Sequence, residues 1–156
     1  VIVVAGSDWH SGVIGIVASR IVEKYYRPVV IISKKDGVGK GSCRSIEGFN
    51  IYEALDECSE LLVQFGGHKQ AAGLTIKVEN IAKFRLKINK LAEMKLTIDD
   101  FKPKIKLDTE IYCEGITEKL LNDLTMLEPF GMGNPKPVFV SSEVLIREAK
   151  KTEFFS

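Results

Sequence analysis

A short glycine-rich segment carries the residue types best suited to binding an anion. It reads Gly-Lys-Gly-Ser-Cys-Arg-Ser over residues 39–45. In a β-strand alternate side chains share a face, so Ser42 and Arg44 should project together. A hydroxyl beside a planar guanidinium, flanked by Gly41 and Ser45 with accessible backbone N–H groups, suits a phosphate. A glycine-rich hairpin with a solvated arginine is an equally weighted alternative, and the string lacks the spacing of a Walker A loop.

A second cluster, Gly66-Gly67-His68-Lys69, could also contribute to an anion site. The two glycines permit positive φ and close approach of a ligand to the backbone, and the adjacent cationic groups can donate hydrogen bonds. The residues alone favour a plainer interpretation, in which the glycines end a helix and the histidine lies on the surface.

The loop over residues 6–12 joins a predicted strand to a predicted helix. A helix N-terminus can hold an anion, but the loop lacks the GxGxxG pattern of dinucleotide-binding folds. Trp9 and His10 could stack on a base. The alternative is that Trp9 packs against a neighbouring domain.

The elements that would position these clusters follow from hydrophobic patterning. Residues 1–5 are continuously apolar and predict a strand buried on both faces; residues 13–26 predict an amphipathic helix, and residues 28–32 a second buried strand. A strand–helix–strand order within about thirty residues indicates a βαβ unit. The sequence therefore predicts an α/β fold.

The next segments predict a hairpin strand over 41–46 and a helix from Asn50 to Gln64, ended by the glycine pair. A strand over 74–78 and a helix from Asn80 follow. The basic residues of this second helix are interpreted as its solvent-exposed face.

Composition changes over residues 96–104, which predicts a domain boundary with domains over 1–100 and 101–156. The second part predicts a strand over 105–111, a helix over 118–127 with Thr117 as N-cap, a loop over 128–137 and a strand over 138–147. Two strands and one helix bury too little surface for an independent domain, so this part is expected to be the truncated beginning of a module.

Composition restricts the function classes. The 156 residues are 45% hydrophobic and 28% charged, with a net charge of +1, which excludes disordered, collagen-like and polybasic proteins. Only two histidines are present, acidic residues are scattered, and no nucleophile signature occurs, so the chain predicts a binding module without catalytic machinery or a metal site of its own.

Three widely spaced cysteines, Cys43, Cys58 and Cys113, do not form the pairs that a structural zinc site requires. An odd number also favours a reducing compartment. With no membrane-spanning run and no signal-peptide pattern, a cytoplasmic location without membrane partners is expected. Cys43 is interpreted as a small apolar residue that points into the sheet.

Four segments together resemble one protein family. They are WHSGVIGIVASRIVEKYYRPVVIIS (9–33), GKGSCRS (39–45), FGGHKQAAG (65–73) and LEPFGMGNPKPVF (127–139). Their order is similar to that of the RecJ family of single-strand-specific exonucleases, over essentially the whole chain. The second and third segments are typical of the DHHA1 domain, which other DHH-superfamily phosphoesterases share; the first and last are more specific to RecJ.

The resemblance implies a DHHA1-type mixed β-sheet flanked by helices, followed by a truncated OB-like segment. In that family a preceding DHH domain binds Mn²⁺ or Mg²⁺ and hydrolyses DNA in the 5′→3′ direction, and its metal motifs have no counterpart here. By the same resemblance, Ser42 and Arg44 would hold a phosphate near the 5′ end of single-stranded DNA. Gly66, Gly67 and His68 would line the same cleft, and Trp9 and His10 would lie towards the DHH domain of the full-length chain.

Two alternatives stay open. One is a DHH–DHHA1 phosphodiesterase that acts on short oligonucleotides or cyclic dinucleotides, against which the segment after residue 103 argues. The other is a non-catalytic nucleic-acid-binding module. All three hypotheses expect no catalytic residue within these 156 positions.

Overall fold

The chain divides into two compact units, the first over Val1–Pro103 and the second from Lys104 onward. The structure, a computed structural model, describes residues 1–145 and residue 148. No helix in this described part is long and apolar enough to cross a lipid bilayer.

A five-stranded sheet forms the centre of the first unit. Its strands are β1 (Ile2–Ser7), β2 (Val29–Lys35), β3 (Val38–Arg44), β4 (Leu62–His68) and β5 (Ala71–Lys77). The spatial order is β1-β2-β3-β5-β4, with β1 parallel to β2 and every other pair antiparallel. This mixed sheet confirms the predicted α/β class.

Helices cover the two faces of the sheet unequally. On one face lies α1 (Ser11–Tyr25), which packs Ile14 and Ala18 against β2. On the other face, α2 (Ile51–Asp56) and α3 (Ile81–Lys95) enclose the main core, including the fully buried Phe84. Because α1 packs mainly on β2 and β3, the same face of β5 and β4 stays open. This open face is where the candidate site lies.

Local sequence explains the bounds of α1. His10 is the N-cap, and its Nδ1 accepts a hydrogen bond from the Gly12 amide at 3.1 Å. Tyr26 ends the helix in the left-handed region with φ 46°, and Pro28 prevents continuation. The chain then enters β2, whose first five residues are buried as predicted.

Two predictions for the first unit are wrong. Strand β1 is not buried on both faces: it is an edge strand, and Val4 is 38% exposed. The helix from Asn50 does not reach Gln64; it ends at Asp56, and residues 62–68 form β4. Leu62 and Phe65 reach the core from a strand that pairs with the next strand, β5, and this pairing outweighs the local helical pattern.

Arg27 ties the segment after α3 to the body of the first unit. Its guanidinium lies 3.9 Å from the centre of the Phe101 ring, and its Nη1 donates to the Phe101 carbonyl at 3.3 Å. The same nitrogen donates to the carbonyls of Tyr25 and Tyr26 at 3.3 and 2.9 Å. The fold of the first unit therefore extends through residue 101.

The second unit has little regular structure among its described residues. It contains β6 (Thr109–Glu110), which pairs in parallel with β7 (Phe139–Val140), and α4 (Glu118–Thr125). The Thr117 hydroxyl accepts from the Leu120 amide at 3.2 Å, which confirms the predicted N-cap. Both strands are shorter than the predicted spans over 105–111 and 138–147, and residues 146 and 147 lie outside the described residues.

Candidate functional site

Ser42 and Arg44 form a hydrogen-bonded pair on β3, next to α1 and on the same side of the sheet as the open face. Arg44 Nη1 donates to Ser42 Oγ at 3.2 Å and to the Cys43 carbonyl at 2.8 Å, and Arg44 Nε donates to Ser19 Oγ of α1 at 3.2 Å. A guanidinium has five N–H donors. The two on Nη2 take part in no hydrogen bond among the residues that the structure describes.

Register places the predicted residues in rows across three strands. Ser42 of β3 pairs with Gly73 of β5, which pairs with Gly66 of β4. Arg44 similarly pairs with Ala71, which pairs with His68. The first and last residues of each row are two strand spacings apart, which is roughly 10 Å. Segments distant in sequence are thus brought to one surface by the sheet.

A cavity of about 520 Å³ lies on this open face, next to the N-terminus of α1. Among the predicted residues it is lined by Gly41, Ser42 and Gly66. Its other walls come from residues absent from the predicted set: Ser11, Ile14, Lys40, Gln64, Phe65, Gly73, Leu74 and Thr75. We refer to it below as the sheet cavity.

The floor of the sheet cavity is flat because glycines form it. No atom lies within 4 Å of a β-carbon built on Gly66, and one built on Gly73 would approach only the Gly41 carbonyl, at 3.7 Å. Polar side chains at Lys40, Thr75 and Gln64 form the adjacent row. The alternation of residues 71–77 predicts that Gly73 and Thr75 share one face of their strand. They pair with Ser42 and Lys40 of β3.

Gly67 has a structural role that the sequence suggested only in part. Its φ is 140°, which L-residues rarely adopt, and a β-carbon there would lie 2.4 Å from the Ala71 carbonyl oxygen. The glycine pair does not end a helix, because both residues belong to β4. His68 is exposed at the end of the same strand and outside the lining of the sheet cavity.

Ser45 lies just beyond β3, in a turn. Its hydroxyl donates to the Phe49 carbonyl at 2.6 Å, and its amide donates to the Gln70 carbonyl at 2.9 Å. These bonds hold the chain that leads to α2 against the chain that leads to β5. The structure does not bring the Ser45 hydroxyl to the Ser42–Arg44 pair.

Trp9 and His10 lie at a different cavity, of about 430 Å³, between β1 and α1. Its remaining walls are mainly apolar: Val4, Asp8, Val13, Ile14, Val17, Ile21 and Ile31. The Trp9 ring packs on Gly6, where a β-carbon would come within 2.3 Å of it, and Trp9 remains 42% exposed. The His10 ring is engaged as the α1 cap.

Cys43 points into the main core, as the strand alternation predicts, and is fully buried. Burial raises the pKa of its thiol to about 12, against an ordinary value of 9.0, although nearby Arg44 acts in the opposite direction. Burial likewise raises the pKa of Cys58 to about 11. Both thiols are therefore protonated and shielded at neutral pH.

Alkylation should distinguish the three cysteines. At pH 8 iodoacetamide is expected to modify exposed Cys113 in the native protein, and Cys43 and Cys58 only after unfolding. Because the unfolded Cys43 thiol ionises near 9.0 and the folded one near 12, its contribution to stability is present below pH 9 and lost as pH rises towards 12. Peptide mass mapping measures the labelling, and native modification of Cys43 would contradict this account.

The described residues do not fit a divalent metal. No group of three or more His, Cys, Asp or Glu side chains comes together among residues 1–145 and 148. Mg²⁺ and Mn²⁺ need several oxygen ligands at one point. The described site offers guanidinium and hydroxyl donors, which suit an anion.

Comparisons with known proteins agree with this architecture. The DHHA1 domain family matches residues 1–94, and the RecJ OB domain family matches residues 107–153. With well over half of its residues matched, the chain belongs to the DHHA1 domain family.

The similar proteins point to one kind of DHHA1-domain protein. The single-stranded-DNA-specific exonuclease RecJ of Bacillus subtilis is 43% identical over 152 residues, 96% of this chain and 19% of that protein. The RecJ of Thermus thermophilus is 34% identical over 139 residues, 89% of this chain and 20% of that protein. The chain thus spans about a fifth of the length of these relatives.

Solved structures give the same result. Thermus thermophilus RecJ in complex with Mn²⁺ matches with a TM-score of 0.79 at 34% identity, covering 90% of this chain and 20% of that one. The same protein in complex with Mg²⁺ matches with a TM-score of 0.78 at 35% identity, covering 88% and 21%. The resemblance to RecJ that the four segments carry is therefore confirmed.

Proposed function

We propose that this chain is the substrate-binding part of a RecJ-type exonuclease that degrades single-stranded DNA in the 5′→3′ direction. Ser42 and Arg44 hold the phosphate at the 5′ end, and the strand continues over the sheet cavity. The relatives that support this proposal are named single-stranded-DNA-specific exonucleases.

The observation that carries the proposal is the Ser42–Arg44 pair beside a glycine floor. Arg44 Nη2 keeps two N–H groups for a ligand within the described part of the chain, and Ser42 Oγ lies next to them. A fork of charged donors beside a hydroxyl matches the oxygens of a phosphate. A floor without side chains lets the attached nucleotide lie close to the backbone.

Hydrolysis itself is assigned to a DHH domain of the full-length protein, which would hold Mn²⁺ or Mg²⁺ and supply a metal-bound nucleophile. The residues described here position the strand, a contribution that lowers the barrier by orienting the scissile bond. The apolar cavity beside Trp9 and His10 would face that domain. A role in DNA repair and recombination follows from the reaction, and three free thiols support a cytoplasmic location.

Substrate length tests the proposal against the alternative of a dinucleotide phosphodiesterase. With the full-length protein, kcat/KM on a long single strand should exceed that on a dinucleotide by at least about tenfold, the contribution of one hydrogen bond to a charged group. Steady-state hydrolysis of the two substrates at one salt concentration gives the comparison. Equal or better use of the dinucleotide would overturn the exonuclease assignment, and hydrolysis by residues 1–156 alone would overturn the assignment of chemistry to another domain.

A further inference from the structure

Helix α1 comes unusually close to the Ser42–Arg44 pair at Gly15. A β-carbon built on Gly15 would lie 3.1 Å from Ser42 Oγ and 3.2 Å from Arg44 Nη2. These are tight contacts for a methyl group, and the guanidinium would have to move by a few tenths of an ångström to accept them. The missing side chain therefore lets α1 pack directly against both groups without displacing the guanidinium.

Ser19, one helical turn after Gly15, fixes the guanidinium. Its Oγ accepts a hydrogen bond from Arg44 Nε at 3.2 Å and donates one to the Gly15 carbonyl at 3.2 Å. Residues four positions apart share one face of a helix, so Gly15 and Ser19 both face the arginine. The chain of bonds from Arg44 through Ser19 to the helix backbone sets the orientation of the guanidinium plane.

The donors of Ser42 and Arg44 that have no partner in the described residues both lie near Gly15. Arg44 uses Nε and Nη1 for Ser19, Ser42 and a carbonyl, and Nη2 is the nitrogen nearest to Gly15. Ser42 Oγ accepts from Arg44, and its own proton takes part in no hydrogen bond within the described residues. Arg44 Nη2 and the Ser42 hydroxyl are thus the donors that the pair keeps for an acceptor.

We propose that Gly15 and Ser19 are positioning residues for the terminal phosphate. Ser19 orients Arg44 so that Nη2 and Ser42 Oγ can bind one phosphate group, and Gly15, which has no side chain, leaves the guanidinium in the position that Ser19 sets. This inference rests on the proposed function, since it takes the phosphate at the strand end as the ligand. Selectivity for a phosphorylated end is its measurable consequence.

The test compares single strands with a 5′-phosphate and a 5′-hydroxyl in the full-length protein. Ser19→Ala and Gly15→Ala should each raise KM for the phosphorylated strand by about fivefold or more and leave kcat unchanged, because a charged hydrogen bond is weakened. The ratio of kcat/KM between the two strands should fall by the same factor. Ser19→Thr, which keeps the hydroxyl, should restore the ratio.

Two control variants distinguish a loss of phosphate positioning from a loss of folding. Ser59→Ala and Gly115→Ala change the same residue types at exposed positions, and nothing lies within 4 Å of a β-carbon at Gly115. Both should leave the ratio unchanged. Alanine favours a helix more than glycine, which offsets the tight contacts of a methyl group at Gly15, so Gly15→Ala should change the thermal unfolding temperature little.

The outcomes distinguish this inference from the function on which it rests. An unchanged ratio in Ser19→Ala and Gly15→Ala, together with a reduced ratio in Arg44→Ala, would overturn the positioning roles and leave the phosphate site intact. An unchanged ratio in Arg44→Ala as well would overturn the proposed phosphate site itself.

Discussion

Arg44→Ala in the full-length protein is expected to lower kcat/KM on 5′-phosphorylated single-stranded DNA by a factor of about 10 to 150. This factor corresponds to about 1.5–3 kcal/mol, the range for hydrogen bonds to a charged group. Arg44 is the one cation that contacts Ser42 in the described structure, and its Nη2 donors are available to the phosphate. Steady-state kinetics over a range of DNA concentrations measures the loss.

Two further variants sharpen this result. Arg44→Lys keeps the charge but removes the planar fork, so most of the loss should remain. Arg85→Ala is the matched control, because Arg85 is an exposed arginine on the opposite side of the sheet, on α3. Unchanged kinetics in Arg44→Ala, or an equal loss in Arg85→Ala, would contradict the phosphate site.

The two glycines of β4 should respond very differently to the same substitution. Gly67→Ala is expected to destabilise the first unit by at least about 2–3 kcal/mol, because an L-residue at such a φ is strained. In addition, a β-carbon there would lie 2.4 Å from the Ala71 carbonyl oxygen and 2.5 Å from the Ala72 α-carbon. Both are backbone atoms of β5, so the two strands would have to separate.

Gly66→Ala is the matched control in the next position. Nothing lies within 4 Å of a β-carbon at Gly66, and its backbone is not in the left-handed region, so stability should change by less than about 1 kcal/mol. Thermal unfolding followed by circular dichroism should show a melting temperature lowered by roughly 10–20 °C in Gly67→Ala for a unit of this size. A Gly67→Ala protein as stable as Gly66→Ala would refute the backbone argument.

Several local features were predictable because short-range physics determines them. Ser42 and Arg44 share a face because alternation along a strand does not depend on the rest of the fold, and their hydrogen bond confirms it. Thr117 begins a helix because its hydroxyl satisfies an orphan amide. The burial of Cys43 follows from the same alternation.

The errors occurred where pairing between strands decides the conformation. Residues 62–68 have an apolar spacing that fits the end of a helix, and only the pairing with β5 makes them a strand. The apolar start of the chain looked like a central strand, but the sheet order places it at an edge. Position within a sheet depends on partners elsewhere in the chain, which no local pattern contains.

The sequence by itself determined the family and the alternation that puts Ser42 and Arg44 on one face of a strand. Those properties reside in residue types and local spacing. Only the tertiary structure decided that Gly73, Thr75 and Gln64 join the site, and that Gly15 and Ser19 of α1 lie against Arg44. The reason is physical: these residues meet Ser42 and Arg44 through strand pairing and helix packing, which bring together positions more than twenty residues apart.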